Sequence, residues 1–443
     1  MPTAYTILFL LLILVAAATW IIPAGSYDYV DGVPVAGTYH AVAQNPQGVG
    51  DVLKAAFSGF YDAVDVCIFI LMVGGFLGVV MKTGAVDAGV SNIIRLLGGR
   101  EKWLIPILML LFGLGGTTYG MWEETMAFYP LLIPVFLAAG YDAVVGISVI
   151  LLGAGAGVIA STVNPFATGI AAGFAGVSLG EGILLRLLEW VAFEAAAIWF
   201  VMAYAARVKR NPSKSVVGVG AGRIQVTMDQ QVPFTPKRKV IMAIFTLTFL
   251  IMVYAVVPFD EMGLSLPTLG WWFPELSALF LVGGVVIGLI DRMSEEELTE
   301  TYVAGCADLL GVAFIIGISR GITVLMRDGA ITDTILHWGE AALSGAGAVS
   351  FTLLVFALYL PLTILIPSSS GLATLSIPIV APLGKFAGVG GDLVVTAFQS
   401  ASGLVNILTP TAAVVMGALA LGHVPYDRWV KYVWKLMAVF LLL

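Results

Sequence analysis

The chain has 443 residues, a net charge of −7 and a mean hydropathy of +1.00, with 59% hydrophobic and only 11% charged residues. Because soluble proteins carry about 25% charged residues, this composition excludes a water-soluble globular protein. No basic patch indicates a nucleic-acid partner. Long apolar runs are typical of helices, whereas an outer-membrane barrel has short alternating segments. The composition therefore predicts an all-α polytopic protein in a lipid bilayer.

The first apolar segment, 4–24, follows no basic region and is long for a secretion signal, so we expect a retained membrane helix. Ten further apolar segments follow it. Several are shorter than the roughly 20 residues of a full crossing, and they flank breaks rich in Gly, Pro, Ser and Thr. The candidate spans are 4–24, 64–81, 103–115, 143–160, 183–206, 239–258, 274–290, 304–326, 346–366, 392–405 and 427–443.

The two halves of the chain contain matching segments in the same order. Residues 79–86 and 324–331 share an apolar pair, Met, a cation, a polar residue, Gly, Ala and an apolar residue. Paired prolines, a glycine with an aspartate two residues later, and a polar residue before proline then recur in each half. Such a long repeat in an apolar chain predicts a transporter built from two related halves. The later matches are 130–134 with 378–382, 140–145 with 390–395 and 164–165 with 409–410.

The segment 207–239 divides the halves and carries eight Lys and Arg residues against one acid, Asp229. By the positive-inside rule this linker is cytoplasmic. The acidic loop 25–60 is then placed outside and the N-terminus inside, in a bacterial-type inner membrane. The first repeat, 1–206, enters the membrane from the inside and the second, 240–443, from the outside. The repeats are therefore predicted to have inverted topology.

Each repeat is predicted to contain scaffold helices, one re-entrant helical hairpin and one broken helix. The hairpins span 103–137 and 346–386, and polar segments between their apolar arms would form the tips. The broken helices span 143–176 and 392–422. Irregular backbone of this kind is tolerated at membrane depth only where protein or a water-filled cavity surrounds it.

The two broken helices each carry a proline after a polar residue. Proline disfavours helix at the preceding residue, so Asn164 and Thr409 should lie at the unwound points. Unwinding frees carbonyls that can hold Na⁺, and half-helix N-termini attract a carboxylate. Alternatively, the prolines only kink packed helices and the hydroxyls bond to their own backbone. Four breaks in two symmetric pairs favour a site, with Na⁺ near Ser161, Asn164, Ser402 and Asn406.

Ionisable residues inside apolar runs are costly unless they are paired or wetted. Glu123 and Glu124 lie in the first hairpin, where a carboxylate could meet an ammonium or guanidinium group or carry a coupling proton. The alternative is a pair of interfacial carboxylates. Arg320 interrupts another apolar run. It is expected either to hold a substrate carboxylate or to pair with one of three acids, namely Asp62, Asp65 or Asp308.

The hairpin tips and breaks at 115–125, 161–168, 367–371 and 399–411 carry a family resemblance. With them the chain resembles the YfcC-like branch of the C4-dicarboxylate anaerobic carrier (DcuC-type) family, within a larger ion-transporter superfamily. The resemblance implies a scaffold domain, a homodimer and a transport domain that moves across the membrane as an elevator. It also implies substrate binding by Thr117, Thr118, Glu123, Asn164, Thr168, Ser369, Ser370, Asn406 and Thr411.

The sequence therefore predicts a secondary active transporter, ion-coupled or an exchanger, for small carboxylate-bearing metabolites. The acidic tip favours amino acids, and the resemblance names arginine and ornithine. The alternatives are C4-dicarboxylate transport coupled to Na⁺ or H⁺ and, less favoured, a channel. The candidate substrate site also includes Glu124 and Arg320. No Walker loop, catalytic dyad or metal cluster indicates an enzyme, and no cofactor is expected beyond a coupling Na⁺ or H⁺.

Overall fold

The computed structural model describes residues 4–86, 88–89, 92, 100–178, 180–217, 233–256, 259 and 265–443, where the chain forms seventeen α-helices. The middle of the predicted linker, 218–232, lies outside these residues. In the first part the helices are α1 Ala4–Ala18, α2 Val49–Asp62, α3 Val64–Lys82, α4 Leu104–Tyr119, α5 Tyr129–Ala138, α6 Ala143–Ile159, α7 Ile170–Ala175, α8 Ile183–Arg210 and α9 Pro236–Val256. The remainder are α10 Phe273–Asp291, α11 Glu295–Asp328, α12 Thr332–Leu343, α13 Ala348–Leu365, α14 Ser369–Phe386, α15 Gly391–Asn406, α16 Ala413–Leu421 and α17 Tyr426–Leu442.

Between α1 and α2 the chain forms four short strands, β1 Gly25–Ser26, β2 Tyr29–Val30, β3 Val33–Pro34 and β4 His40–Ala41. They pair antiparallel as β1 with β4 and β2 with β3. Short helical turns of other types complete the described secondary structure. They are 3₁₀ turns at Glu101–Trp103, Glu123–Phe128 and Pro212–Lys214, and a π-helix at Pro165–Gly169.

Within the described residues, six helical segments are long and apolar enough to cross a membrane. The fold is therefore that of a multi-pass helical membrane protein, as its composition predicts. They are Val64–Lys82, Glu101–Tyr119, Pro236–Ala255, Phe273–Asp291, Glu295–Asp328 and Ala348–Leu365.

The first predicted span, 4–24, is too long, because α1 ends at Ala18. The side chain of Gln44 donates hydrogen bonds of 2.9 Å to the carbonyl oxygens of Thr19 and Ile22. These contacts satisfy backbone groups that a continuing helix would have bonded, and so they allow the turn after Ala18. Fifteen helical residues extend only about 22 Å, less than the roughly 30 Å hydrocarbon core.

The long helix α11 crosses α2 and α3 at glycine-lined contacts. A methyl group added at Gly78 on α3 would lie 2.9 Å from Gly305 Cα on α11. One added at Gly321 on α11 would lie 2.7 Å from the carbonyl oxygen of Ala55 on α2. Small residues let membrane helices approach closely and gain dispersion contacts where no hydrophobic effect drives their association. These crossings unite α2, α3 and α11 into one packed unit, which α1 and α10 flank.

The α2–α3 segment and α11 run antiparallel. Lys82 at the end of α3 forms an ion pair of 3.7 Å with Glu297 at the start of α11. At the other end of α11, Arg327 forms an ion pair of 3.6 Å with Asp62, the last residue of α2. Lys82 and Arg327 occupy corresponding positions in the two matching sequence segments, and the helices that carry them, α3 and α11, run antiparallel. Which side of the membrane each end faces stays a prediction.

The loop that carries the strands is fastened to α12. The Tyr29 hydroxyl donates a 2.8 Å hydrogen bond to Asp333, and the Tyr27 hydroxyl donates one of the same length to Glu340. Burial, followed by the hydrogen bond to the Asp333 carboxylate, raises the pKa of Tyr29 above its ordinary value, which keeps the hydroxyl a donor. These contacts connect the first part of the chain to the second outside the helical core.

The remaining helices pack around α6 and α15. Helices α4 and α5 both pack on α6, and α13 and α14 both pack on α15. The two central helices cross each other, since a methyl group added at Gly403 of α15 would lie 2.6 Å from Ile159 Cα of α6. The predicted helical arms and polar turns are thus present in both halves. Their re-entrant course in the membrane stays a prediction.

Candidate functional site

The first helix interruption lies between α6 and α7. Helix α6 ends at Ile159, and regular hydrogen bonding resumes only in the π-helix Pro165–Gly169. Asn164 lies at the unwound point, as the following proline predicts. Its carbonyl accepts a 2.8 Å hydrogen bond from the Gly169 amide, and its side-chain oxygen accepts one of 3.3 Å from Ala167. The asparagine thus acts as a cap for the resumed helix.

Thr117 joins the tip of the first hairpin to this interruption. Its hydroxyl donates a 2.9 Å hydrogen bond to the carbonyl of Ala160, and its own carbonyl accepts one of 2.9 Å from the Thr162 hydroxyl. The amide of Thr162 also donates to the Thr117 carbonyl. The end of α4 therefore supplies hydrogen-bond partners to the unwound segment after α6. Thr118 instead donates to Leu114 in its own helix, at 2.6 Å.

The turn after α4 rests directly on Asn164. Gly120 has φ +77°, a left-handed conformation that favours glycine, and a methyl group there would lie 2.5 Å from the Asn164 side-chain nitrogen. Glu124 is buried and accepts a 3.1 Å hydrogen bond from the Trp122 amide. Glu124 therefore stabilises the turn at the tip, whereas Glu123 is only half-buried and lines a cleft on α11 that is described below.

The second interruption lies between α15, which ends at Asn406, and α16, which begins at Ala413. The hydroxyls of Thr409 and Thr411 lie 2.8 Å apart. Ser319 of α11 donates a short hydrogen bond to the Thr411 carbonyl. The long helix α11, which packs against α2 and α3, thus directly contacts the unwound segment between α15 and α16.

The second hairpin turns at a serine-rich segment. The Ser368 hydroxyl accepts a 3.2 Å hydrogen bond from the Gly371 amide and caps α14. Ser369 and Ser370 occupy the first turn of that helix and are half-buried. This tip carries no charge, in contrast to the first.

A narrow cleft of about 30 Å³ brings both hairpin tips, the second interruption and α11 together. Glu123 and Arg320 both line it. No ion pair within 4.0 Å joins them, and among the described residues Arg320 has no carboxylate partner at that distance. Of the three acids proposed as its partners, Asp62 pairs with Arg327 instead. The cleft is lined by Val66, Trp122, Glu123, Ile316, Ser319, Arg320, Pro367, Thr411, Ala412, Ala413 and Val414.

The two interruptions also contain buried oxygen atoms without a hydrogen-bond partner. They are the hydroxyls of Ser161 and Ser402 and the side-chain oxygen of Asn406, all in residues at most 5% exposed. Buried polar atoms are normally hydrogen-bonded, so these three oxygens near the helix breaks are exceptions that the protein's own hydrogen bonds do not explain. The nearby Thr168 hydroxyl is occupied, since it donates to the Ser161 carbonyl at 3.3 Å.

The predicted site residues thus fall into separate groups. Glu123, Arg320 and Thr411 line the cleft, while Thr117 and Asn164 hold the first interruption together. The roles of Trp122 and Ser319 were missed in the sequence. Ser319 directly precedes Arg320 in the same apolar run, and a polar residue beside an intramembrane cation is the signal that could have found it.

Long apolar helices, two interrupted helices and a charged cleft at their junction define a multi-pass membrane transporter. The chain belongs to the C4-dicarboxylate anaerobic carrier family, whose sequence profile matches residues 1–443. It is 35% identical over 494 residues to an uncharacterised protein of Haemophilus influenzae, with 100% of this chain and 95% of that protein covered. It is also 31% identical over 479 residues to YfcC of Escherichia coli, provisionally described as a basic amino acid antiporter, with coverage of 97% and 92%.

Two solved transporters are similar in structure at low sequence identity. The YdaH transporter of Alcanivorax borkumensis is 14% identical with a TM-score of 0.45, covering 100% of this chain and 96% of that one. The MtrF efflux pump of Neisseria gonorrhoeae is 17% identical with a TM-score of 0.42, covering 100% and 93%.

The Thr117 contacts predict a stability difference between two adjacent threonines. Thr117→Val should lower the unfolding free energy by about 1–2 kcal/mol, because the buried Ala160 carbonyl loses its partner. Thr118→Val, in a half-buried residue that bonds within its own helix, should change it by less than about 0.5 kcal/mol. Thermal unfolding in detergent micelles measures both. Equal losses for the two variants would show that the interruption does not depend on Thr117.

Proposed function

We propose that the chain is a secondary active transporter of small carboxylate-bearing metabolites, with amino acids such as arginine and ornithine as the favoured substrates. The observation that carries the proposal is the shared cleft of Glu123 and Arg320. An amino acid has a carboxylate for the guanidinium and an ammonium for the glutamate. The provisional description of the relative YfcC points to the same substrate class.

The two charges support a zwitterion better than a dianion. Because no ion pair within 4.0 Å joins Glu123 and Arg320, each side chain is available to a ligand that inserts between them. A dicarboxylate would satisfy Arg320 but leave Glu123 facing a like charge, and like charges in a desolvated site are repulsive. C4-dicarboxylate transport coupled to Na⁺ or H⁺ remains the rival, since the family bears that name.

The cleft must widen before an amino acid enters. Its volume of about 30 Å³ holds little more than one water molecule. Pro367 of the second hairpin forms part of its wall, and this tip carries no ion pair that would fasten it. We therefore assign the second hairpin the role of a gate whose movement admits the substrate to Glu123 and Arg320.

Charge removal separates the two substrate classes. Glu123→Gln should weaken amino-acid binding about tenfold or more, because an ammonium loses its partner, while any dicarboxylate binding should be unchanged or tighter. Arg320→Gln should abolish binding of either class. Titration calorimetry with lysine, arginine, ornithine and succinate measures these affinities. The control is Glu124→Gln, whose amide oxygen can still accept the Trp122 hydrogen bond and which should bind like the unmodified chain.

The outcome that contradicts the amino-acid assignment is specific. If Glu123→Gln binds basic amino acids as tightly as the unmodified chain, Glu123 does not contact the ammonium group. If succinate alone binds, and binds more tightly to Glu123→Gln, the dicarboxylate rival replaces the proposal.

The transport cycle is proposed to be an elevator motion between two inverted repeats. In support of this, three pairs of helices, with one member from each half, pack antiparallel. Besides α2–α3 with α11, these are α6 with α15, where Gly155 packs on Ile407, and α8 with α17, where Phe193 packs on Phe440. Helices α1–α3 and α9–α11 would form the scaffold, often dimeric in this family, and the helices around α6 and α15 the moving domain. The basic linker and the N-terminus are assigned to the cytoplasmic side of the inner membrane.

The Ser319–Thr411 contact crosses the boundary between these two proposed domains, so it must break in an elevator motion. The test introduces Ser319→Cys and Thr411→Cys into a chain that also carries Cys67→Ala and Cys306→Ala. A short bifunctional thiol reagent with a reducible spacer should join the two new cysteines. Uptake into liposomes should then stop, and reduction of the spacer should restore it. Undiminished uptake by the fully crosslinked protein would refute the elevator motion.

The orphaned oxygens support coupling to Na⁺. Ser161 and Asn406 each lie four residues before the proline of their own break, Pro165 and Pro410, so the two halves offer one such oxygen each. Hydroxyl, amide and carbonyl oxygens are ligands that suit a hard cation. These residues, with Ser402, would hold the ion. Proton coupling, the alternative, would not require them.

A hydroxyl without a partner gives a clear test. Ser402→Ala should leave thermal stability in Na⁺-free buffer nearly unchanged, because no hydrogen bond is lost, but should remove the stabilisation that added NaCl gives relative to choline chloride. Ser148→Ala is the control, since that hydroxyl donates a 2.6 Å bond to Val144. It should lower stability and keep the Na⁺ effect. An intact Na⁺ effect in Ser402→Ala would exclude this residue as a ligand.

A further inference from the structure

We infer that the groove between α8 and α17 binds an anionic phospholipid. The groove encloses a cavity of about 280 Å³ and lies apart from the charged cleft between the hairpin tips. Four cations line it, Arg207, Lys214, Lys431 and Lys435, and none of the lining residues is acidic. This inference requires only that the chain lies in a bilayer, and it is independent of the transported substrate.

The cations of this groove are available to a ligand. Among the described residues, no carboxylate lies within 4.0 Å of Arg207, Lys214 or Lys435, and Lys431 reaches only the partly exposed Asp427, at 3.5 Å. The three long side chains are thus uncompensated at short range. Basic pockets between membrane helices near the bilayer surface attract anionic lipid headgroups.

A buried carboxylate beneath the groove does not neutralise these cations directly. Asp142 accepts hydrogen bonds of 2.6 Å from both the Tyr204 and Ser215 hydroxyls and one of 3.0 Å from the Val145 amide. Its oxygens are therefore occupied by neutral donors. The same bonds hold the segment after α8 against the groove, which places Lys214 on its rim.

The rest of the groove is apolar and suits an acyl chain. Phe200, Leu436 and Val439 line it, and Trp199 at its edge is 71% exposed. The two helices pack antiparallel, with the Phe193 and Phe440 rings 5.0 Å apart at one end and the Tyr204 and Tyr432 rings 4.6 Å apart at the other. Cations on the rim and hydrocarbon-like walls below match an amphiphile, whereas a free phosphate would use only the rim.

The experiment compares lipids on the purified, delipidated full chain in mild detergent. Phosphatidylglycerol should raise the thermal unfolding temperature and remain bound in native mass spectrometry, while phosphatidylcholine of the same acyl chains should do neither. The double variant Lys431→Gln/Lys435→Gln should bind phosphatidylglycerol about thirtyfold more weakly, because it lacks two of the four cations. Arg210→Gln is the control. This cation lies on the last turn of α8, as Arg207 does, but it is exposed and does not line the groove.

Three results would overturn the inference. The first is equal stabilisation by phosphatidylcholine, which would make the groove a non-specific acyl-chain site. The second is equal stabilisation by inorganic phosphate at the same concentration, which would make it an anion site. The third is equal loss of binding in Arg210→Gln and in the double variant, which would indicate general surface charge. Should the double variant fold poorly, Leu436→Trp, which fills the groove and keeps the cations, should also displace the lipid.

Discussion

Hydrocarbon offers no hydrogen-bond partners, so each interruption of a membrane helix must be satisfied within the protein. The first break meets this constraint through Thr117. Its hydroxyl donates to the Ala160 carbonyl and its carbonyl accepts from the Thr162 hydroxyl, both in the unwound segment after α6. The second meets it through Thr409 and Thr411 and through Ser319 on the long helix α11. The hairpin tips and α11 therefore lie beside the breaks because the breaks require partners. The site is assembled by the same bonds that make the interruptions tolerable.

The features predicted from sequence are those with local causes. Proline acts on the residue before it, and Asn164 and Thr409 both lie outside regular helix as expected. The shared cleft of Glu123 and Arg320 could not be predicted, because nearly 200 residues separate them and their meeting depends on how α11 crosses the first hairpin. The end of α1 at Ala18 was missed for the same reason, since the Gln44 side chain that satisfies the turn comes from a later loop.

Glycine determines how closely the helices approach, and therefore where polar atoms meet. Gly78 and Gly321 admit α11 against α3 and α2, and Gly403 admits α15 against α6. A larger residue at any of these crossings would displace a backbone by several tenths of an ångström at least, because the neighbouring atoms belong to main chain. Since Ser319 and Arg320 lie between Gly317 and Gly321 of α11, the α2 crossing also fixes the position of the site's cation.

The departures from symmetry carry the chemistry. The predicted repeat relates the two breaks and the two tips, but identical halves would present identical groups. Here the first tip contributes Glu123, the second contributes Pro367 beside uncharged serines, and only α11 contributes a cation. A ligand that bears both complementary charges would offset the cost of desolvating each group, which is the physical basis of the proposed amino-acid specificity. The cleft therefore combines a carboxylate from the first half with a guanidinium from the second, and the crossing of α11 against α2 positions the guanidinium.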